Sequence, residues 1–211
     1  MLTLYGSKGS GSASIEAALA VAGVACEQVD GAEWNRTEGY EQLKRVNPLA
    51  QIPTLVLEDG SVLTESAAIL IHLGLVYPES ALLASDPSRR AQQVRGLVYI
   101  VANCYAGISI LDYPGRWYPD PDEAVRKAMD QRGRARLHEL WDVFVDQFPA
   151  TPWLSGDRLG ALDILAATVS MWSGSRKHLA VSRPAFSALL TRIEADPRVA
   201  PVWARHWPQK P

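Results

Sequence analysis

The sequence predicts an α/β domain with the element order βαβαββα, followed by an all-helical domain. Short β-branched and apolar runs separated by turn signals occur in the first third, whereas apolar residues recur at steps of three and four farther on. Hydrophobic residues make up 47% of the 211-residue chain and charged residues 21%, which provides ample material for a core and argues against disorder. We expect domains over 1–77 and 86–211, joined by a linker over 78–85.

The first part of the chain alternates strands and helices. Residues 2–5 predict a strand, and residues 13–22, rich in alanine and leucine, predict a helix that ends at Gly23. Residues 25–29 predict a second strand. Because the strand–helix–strand crossover is short, the two strands should be parallel with a right-handed connection. Residues 38–46 predict one irregular helix.

A hairpin follows and leads into a helix. Residues 54–57 form a β-branched and apolar run, and the Glu-Asp-Gly sequence at 58–60 predicts a tight turn. Residues 61–63 predict the returning strand. Thr64 is the predicted N-cap of the apolar helix that comes next.

Beyond the linker the sequence predicts helices alone. Asp86 and Pro87 suit an N-cap and a first helical residue, and the apolar positions after them keep a helical spacing. The sequence Asp-Pro-Asp-Glu at 120–123 predicts that a new helix starts there with an acidic cap at Asp120. Further helices are predicted over 160–172, which is nearly all apolar and should be buried, over 184–195 and over 197–203.

Composition argues against several classes of protein. The formal net charge of −2 gives no electrostatic footprint for nucleic acid. No apolar run approaches the ~20 residues needed to span a bilayer, and the chain start lacks the regions of a signal peptide. Cys26 and Cys104 have no metal-type spacing, and the four histidines form no ligand pattern. We therefore expect a soluble, cytoplasmic protein without a metal site or a membrane partner.

The stretch 47–73 resembles the signature of the cytosolic glutathione transferases. The resemblance covers nearly the full chain and is most specific over Ile52, Pro53, Glu65 and Ser66. In that family a thioredoxin-like domain carries a cis proline before its third strand, and the preceding residue presents its backbone to the cysteinyl part of glutathione. A Glu/Gln-Ser pair at the following helix holds the γ-glutamyl end. The resemblance implies glutathione as co-substrate and the glutathione transferase architecture.

The residue types at these positions suit the two ends of glutathione. The hydroxyl of Ser66 and the N–H groups of a positive helix end suit the γ-glutamyl carboxylate. The carboxylate of Glu65 suits the ammonium of the same group. Gln51 is expected to approach the tripeptide, and Lys8 and Trp34 are possible contacts at its glycine end.

Transfer of glutathione requires its thiolate, and a free thiol of the cysteine type has a pKa of about 8.5. A hydrogen-bond donor and a helix N-terminus beside the sulfur favour the thiolate. Counting from the chain start places Ser10 where bacterial beta-class enzymes carry their cysteine, whereas counting back from Gly23 places Ser12 beside that position. A serine there favours a hydrogen bond to the thiolate over mixed-disulfide chemistry. The candidate donors are Ser10 first, Ser12 second, Tyr5 third, and Ser7.

The electrophile should bind between this loop and the helices over 90–109 and from 120 onward. Beta-class enzymes place a histidine and a lysine at positions that match Tyr105 and Ala106, and neither is retained here. The predicted substrate range therefore departs from that class. The candidate pocket residues are Asn103, Tyr105, Arg116 and Trp117.

The predicted function is a glutathione S-transferase that activates the glutathione thiolate for attack on small electrophiles. The alternatives are a glutathione-dependent peroxidase or disulfide reductase, which would use the same thiol site, and a non-catalytic interaction module on the same fold. The resemblance also implies a homodimer in which the first domain of each subunit lies against the second domain of the other.

A capping motif of the family is only half present. The buried helix of the second domain usually begins Ser/Thr-x-x-Asp, and Gly160 replaces the hydroxyl residue here while Asp163 is in place. Because glycine is itself an acceptable N-cap, the expected cost is only a few tenths of a kcal/mol.

Overall fold

The computed structural model describes residues 1–208, which form a four-stranded sheet with three helices followed by helices alone. The strands lie in the order β2-β1-β3-β4, with β1 parallel to β2 and antiparallel to β3, and with β3 antiparallel to β4. The order βαβαββα is therefore confirmed. The elements of this part are β1 (Leu2–Gly6), α1 (Ser12–Ala22), β2 (Cys26–Asp30), α2 (Glu38–Val46), β3 (Thr54–Val56), β4 (Val62–Leu63) and α3 (Ser66–Val76).

The remainder is helical, as expected. Helix α7 ends three residues before the predicted boundary at 172, and α8 was not predicted from the sequence. The domain division at 77 and 86 stays a prediction, and the last three residues of its second part lie outside the described residues. The elements are α4 (Pro87–Tyr99), α5 (Ala106–Asp112), α6 (Glu123–Gln147), α7 (Ala161–Val169), α8 (Ser175–Ser182), α9 (Pro184–Glu194) and α10 (Ala200–His206).

Capping residues account for several of these boundaries. Gly23 ends α1 at φ 67°, a left-handed conformation that glycine adopts without a Cβ penalty. The side chains of Thr37 and Asp86 accept backbone N–H groups in the first turns of α2 and α4. The cap predicted at Asp86 is confirmed.

Two predicted N-caps are wrong. The side chain that caps α6 belongs to Asp122, which accepts the Val125 N–H at 2.8 Å, whereas Asp120 has a φ of 46° and lies outside the helix. Thr64 does not cap α3, because the residue at the N-cap position is Glu65 and its side chain accepts no capping hydrogen bond. In both cases the helix begins later than the pattern indicates.

Helices α4 and α5 are continuous through a π-helical turn over Ile100–Tyr105, which the sequence analysis did not predict. Within residues 1–208, the segment Pro87–Asp112 is the one helix long and apolar enough to cross a membrane, by length and composition alone. The expectation that no apolar run approaches that length therefore underestimated how long and apolar this helix is. It packs against α6 and α7.

One apolar core runs from the sheet into the helices. Helix α1 contacts α3, α7 and α10, so the two parts of the chain share this core. All nine residues of α7 are buried, as its composition predicts. The largest fully buried side chains include Trp141, Phe144, Ile15, Leu70 and Leu97. This shared core holds the walls of the cavity described next.

Candidate active site

A cavity of about 520 Å³ opens between the β1–α1 loop, the segment that leads from α2 through the start of α3, and helix α5. Its lining brings together most of the residues predicted from the sequence. Those on its wall are Ser10, Gln51, Ile52, Pro53, Glu65, Ser66, Tyr105 and Arg116. Six of the residues named from the sequence do not line it, namely Tyr5, Ser7, Lys8, Ser12, Asn103 and Trp117.

The serines of the β1–α1 loop form one hydrogen-bonded cluster. The hydroxyl oxygen of Ser10 lies 2.7 Å from the Ser7 carbonyl oxygen and 2.8 Å from the Ser12 hydroxyl oxygen. Ser12 accepts the Ser7 N–H at 3.1 Å and is buried. Ser10 therefore faces the cavity at the positive start of α1, while Ser12 closes the loop behind it. Tyr5 is buried in β1 and does not line the cavity.

The segment from Asn47 to Pro53 forms the opposite wall. The buried Asn47 amide donates to the Gln51 carbonyl at 3.2 Å and to the Thr54 hydroxyl at 2.9 Å. The Ile52–Pro53 bond is cis, as the family resemblance implies. No role in the site was predicted for Asn47 from the sequence. Its burial shows that it anchors the segment that presents Gln51 and Ile52.

The start of α3 carries an unusual backbone conformation. Glu65 has φ 62° and ψ 111°, a positive φ that a residue other than glycine seldom adopts. Such strained residues cluster at active sites, where the surrounding structure holds them in place. Glu65 and the mostly buried Ser66 both line the cavity, at the positive end of the helix.

Tyr105 forms the wall opposite the loop serines. A Cβ added to Gly11 would collide with the Tyr105 hydroxyl, so a glycine at that position lets the phenol approach the loop. Burial raises the pKa of Tyr105 to about 12, with smaller contributions from Asp112 and Tyr113. The phenol is therefore protonated at neutral pH and can donate a hydrogen bond.

Arg116 lies at the cavity mouth among charged and aromatic neighbours. Its guanidinium is 4.0 Å from the Glu33 carboxylate and 4.1 Å from the centre of the Tyr113 ring. Burial raises the pKa of Asp112, which lines the same wall. This end of the cavity can thus contact both polar groups and flat apolar groups of a small molecule.

Asn103 and Trp117 lie elsewhere for identifiable reasons. Asn103 sits in the π-helical turn and donates to the Tyr99 carbonyl at 3.1 Å. Trp117 follows a turn that leaves 59% of its surface exposed. Of the possible glycine-end contacts, Trp34 lines the cavity and Lys8 does not.

Several lining residues could not be predicted from the sequence, because they come from separate elements. Trp172 follows α7, and its ring packs 5.8 Å from that of Tyr105. No periodic pattern or short motif links it to the cavity. The other residues missed include Glu33, Asp112 and Tyr113.

Neither Cys26 nor Cys104 lines the cavity. Cys104 is fully buried, and burial raises the pKa of its thiol to about 12, which makes it a core residue. Over residues 1–208 no group of three or more His, Cys, Asp or Glu side chains is placed to hold a metal ion.

Comparison with known proteins points to one family. The family model for the N-terminal domain of glutathione S-transferases matches residues 1–74. An uncharacterized GST-like protein of Escherichia coli K12, YncG, is 31% identical over 98% of both chains. Maleylacetoacetate isomerase of Pseudomonas aeruginosa is 31% identical over 74% of this chain and 77% of its own.

Solved structures show the same relationship. A glutathione transferase from Methylococcus capsulatus is 28% identical and superposes with a TM-score of 0.76, covering 96% of this chain and 97% of its own. A glutathione transferase homologue from Sulfitobacter, with bound glutathione, has a TM-score of 0.84 over 96% of both chains. At 20% identity the second comparison shows a common fold.

Proposed function

The chain belongs to the glutathione S-transferase family, and we propose that its cavity binds glutathione along the Gln51–Ser66 wall and activates the glutathione thiol beside Ser10. The enzyme is a glutathione transferase. The observation that carries the proposed site is the convergence of Ser10, Ile52, Glu65 and Ser66 on one cavity. Glutathione is the co-substrate in this proposal.

Glutathione would lie with its γ-glutamyl end at the start of α3. The hydroxyl of Ser66 and the backbone N–H groups of the first turn would bind its carboxylate, and Glu65 would bind its ammonium group. The backbone of Ile52 would meet the cysteinyl part, with Gln51 beside it. This orientation brings the sulfur toward the β1–α1 loop.

The Ser10 hydroxyl would stabilise the thiolate. Both the Ser10 and Ser12 hydroxyls lie within hydrogen-bond distance of the Ser7 carbonyl, at 2.7 Å and 3.2 Å. Because Ser12 can donate to that carbonyl, the Ser10 hydroxyl is free to turn toward a sulfur in the cavity. The positive start of α1 would add to this stabilisation.

The electrophile would bind between Tyr105, Arg116 and Trp172. The thiolate would attack it, forming a carbon–sulfur bond while a leaving group departs or a double bond takes up the electron pair. The protonated Tyr105 phenol can donate to the negative charge that develops on the electrophile. The mixed polar and aromatic lining suits small molecules that carry an unsaturated or aromatic group.

A second candidate activity uses the same thiolate. The match to maleylacetoacetate isomerase favours a substrate with an activated double bond. Addition of the thiolate to such a bond, rotation about the resulting single bond and elimination of the thiolate would isomerise it without net loss of glutathione. Arg116, which lines the cavity, would hold a carboxylate of such a substrate.

We also infer a cytoplasmic homodimer. Helices α3 and α4 contact each other and leave large apolar side chains in solvent. In the most apolar 18-residue stretch of the α4–α5 segment, only 28% is buried in the single chain. A second copy that covers this surface would remove it from water. The exposed side chains are Leu75, Val76 and Val98.

The test is the ultraviolet band of the glutathione thiolate, recorded across pH with the wild type and with Ser10→Ala and Ser12→Ala. We expect the bound thiol to ionise about 1–2 pH units below the free thiol, and Ser10→Ala to move this titration back up. Ser85→Ala is the matched control, because Ser85 is exposed and away from the cavity.

Each other outcome has a definite meaning. A larger shift with Ser12→Ala would identify Ser12 as the donor. Absence of the band together with absence of binding by calorimetry would overturn the proposed site. The amount of glutathione consumed would distinguish the two activities. Conjugation to an aryl halide consumes glutathione, whereas isomerisation of maleylacetoacetate returns it.

A further inference from the structure

The β1–α1 loop is held from a distance by the C-terminal helix. The Gly9 N–H donates to Nδ1 of His206, at 3.1 Å, across 197 positions of the chain. Gly9 has φ 69°, lines the cavity and precedes Ser10. This contact therefore fixes the backbone immediately before the proposed thiolate donor.

His206 is itself held by a buried carboxylate. Its Nε2 atom lies 2.8 Å from a carboxylate oxygen of Glu16 on α1, and the side chains of His206 and Glu16 are only 4% and 8% exposed. The other carboxylate oxygen of Glu16 is paired with Arg205. Because Nδ1 accepts the Gly9 N–H, the ring hydrogen must sit on Nε2, where it donates to Glu16.

The charge of Glu16 supports this arrangement. Burial alone would raise its pKa, but hydrogen bonds from His206, Arg205 and Gln28 outweigh burial and lower the pKa to about 2. Glu16 is therefore a carboxylate at neutral pH. A carboxylate facing Nε2 fixes the tautomer in which Nδ1 is a free acceptor.

The side chains of His206, Glu16 and Arg205 do not line the cavity, so they do not contact glutathione in the proposed pose. The residue after His206 extends the same connection, because the Trp207 ring packs on Trp172, which lines the cavity against Tyr105. The end of α10 thus contacts the β1–α1 loop at Gly9 and, through Trp207, the Trp172 side of the opposite wall.

We propose that His206, oriented by Glu16, is a positioning residue that holds the Gly9–Ser10 backbone where the Ser10 hydroxyl meets the glutathione sulfur. This inference rests on the proposed function. Loss of the contact would leave the Gly9 N–H without its acceptor and let the loop relax. Since small misplacements of a reacting group can cost up to about 100-fold in rate, kcat should fall more than glutathione affinity.

Two substitutions of His206 separate its two hydrogen bonds. Asparagine places its side-chain oxygen near the position of Nδ1, so H206N retains an acceptor for Gly9 and loses the donor to Glu16. Glutamine places its amide nitrogen near the position of Nε2, so H206Q retains the donor and loses the acceptor. Arg205→Ala is the control, because it removes a partner of Glu16 and leaves the Gly9 contact in place.

The first measurement is amide hydrogen exchange of Gly9 and Ser10 in the full-length protein without glutathione. We expect H206Q to accelerate exchange of the Gly9 amide about tenfold or more, and H206N and R205A to leave it close to wild type. If H206N and H206Q accelerated exchange equally, general packing of α10 and not the hydrogen bond to Gly9 would hold the loop. That result would overturn the inference whether or not the proposed function is correct.

The second measurement compares the thiolate titration, the glutathione dissociation constant and kcat. For H206Q we expect a higher thiol pKa and a kcat lower by about 10- to 100-fold, with a dissociation constant within about threefold of wild type. A fall in melting temperature with unchanged kcat and thiol pKa would also overturn it. A wild type that neither binds glutathione nor shows the band would instead overturn the proposed function.

Discussion

The positive φ of Glu65 makes a prediction about stability and binding at a single residue. Substitution by glycine should relieve the backbone strain at φ 62°, whereas substitution by alanine should retain it. Both remove the carboxylate. We therefore expect Glu65→Gly to unfold with a free energy about 1 kcal/mol higher than that of Glu65→Ala in urea denaturation.

Both variants should bind glutathione at least about tenfold more weakly than wild type, because each loses the partner of the ammonium group. Glu65→Gln serves as the control that keeps the side-chain shape and the strain. Calorimetric titration gives the affinities. An alanine variant as stable as the glycine variant would mean that the φ of Glu65 stores no strain.

Prediction from sequence was most successful where the site residues are neighbours in the chain. Ile52, Pro53, Glu65 and Ser66 lie within one short stretch, and all four line the cavity. Their types suit a carboxylate, an ammonium group and a tripeptide backbone, so chemistry and order could be read together. Trp172 could not be found in this way, because it is the packing of α7 against α1, α4 and the π-helical turn that brings it to the wall.

The start of α7 makes a prediction at the level of one element. A Cβ on Gly160 would lie 2.8 Å from the Leu82 carbonyl oxygen and 2.7 Å from the Ser155 hydroxyl oxygen. Glycine is a slightly weaker N-cap than serine, but the close approach of the Leu82 backbone favours glycine here. We expect Gly160→Ser to lower the free energy of unfolding by about 1–3 kcal/mol, although serine is the better N-cap.

Thermal and urea unfolding would measure this loss. Gly115→Ser is the matched control, because a Cβ there meets nothing within 4 Å. Asp163 still accepts the N–H groups of Leu154 and Ser155 in the variant, so the rest of the cap is unchanged. A Gly160→Ser protein more stable than wild type would show that the loop can move away and that capping dominates.

Element types were predictable here and element details were not. Alternation and apolar spacing identified the strands and most helices, because burial imposes those periods. The π-helical turn over Ile100–Tyr105 has no such signal. The wider turn changes the direction in which the side chains after it point, which places Tyr105 in the cavity. Asn103 instead forms a hydrogen bond to the Tyr99 carbonyl of its own helix. This is why one of two neighbouring candidates lines the site and the other does not.

At the scale of the whole molecule, the two parts of the chain cooperate through the cavity and the core. The wall that would bind glutathione comes from the sheet part, whereas Tyr105, Arg116 and Trp172 come from the helical part. Sequence periodicity predicts each part separately. Their relative placement depends on contacts such as those of α1 with α7 and α10, which no local pattern encodes.

The apolar surface on α3 and α4 leads to a prediction about assembly. If a second copy covers Val98, which is 49% exposed in the single chain, a charge at that position would be buried without a partner. We expect the wild type to sediment at twice the mass of one chain, and Val98→Glu to shift the dimer dissociation constant upward by about 100-fold or more. Sedimentation velocity from nanomolar to micromolar concentration would measure both.

Val181→Glu is the matched control for that experiment, because Val181 is 85% exposed on α8, outside the surface formed by α3 and α4. It should leave the dimer intact. If Val98→Glu also remained a dimer at nanomolar concentration, the interface would lie on another surface. A wild type that stayed monomeric at micromolar concentration would refute the homodimer. In that case the apolar surface would remain open to solvent, and each chain would form its cavity from its own residues alone.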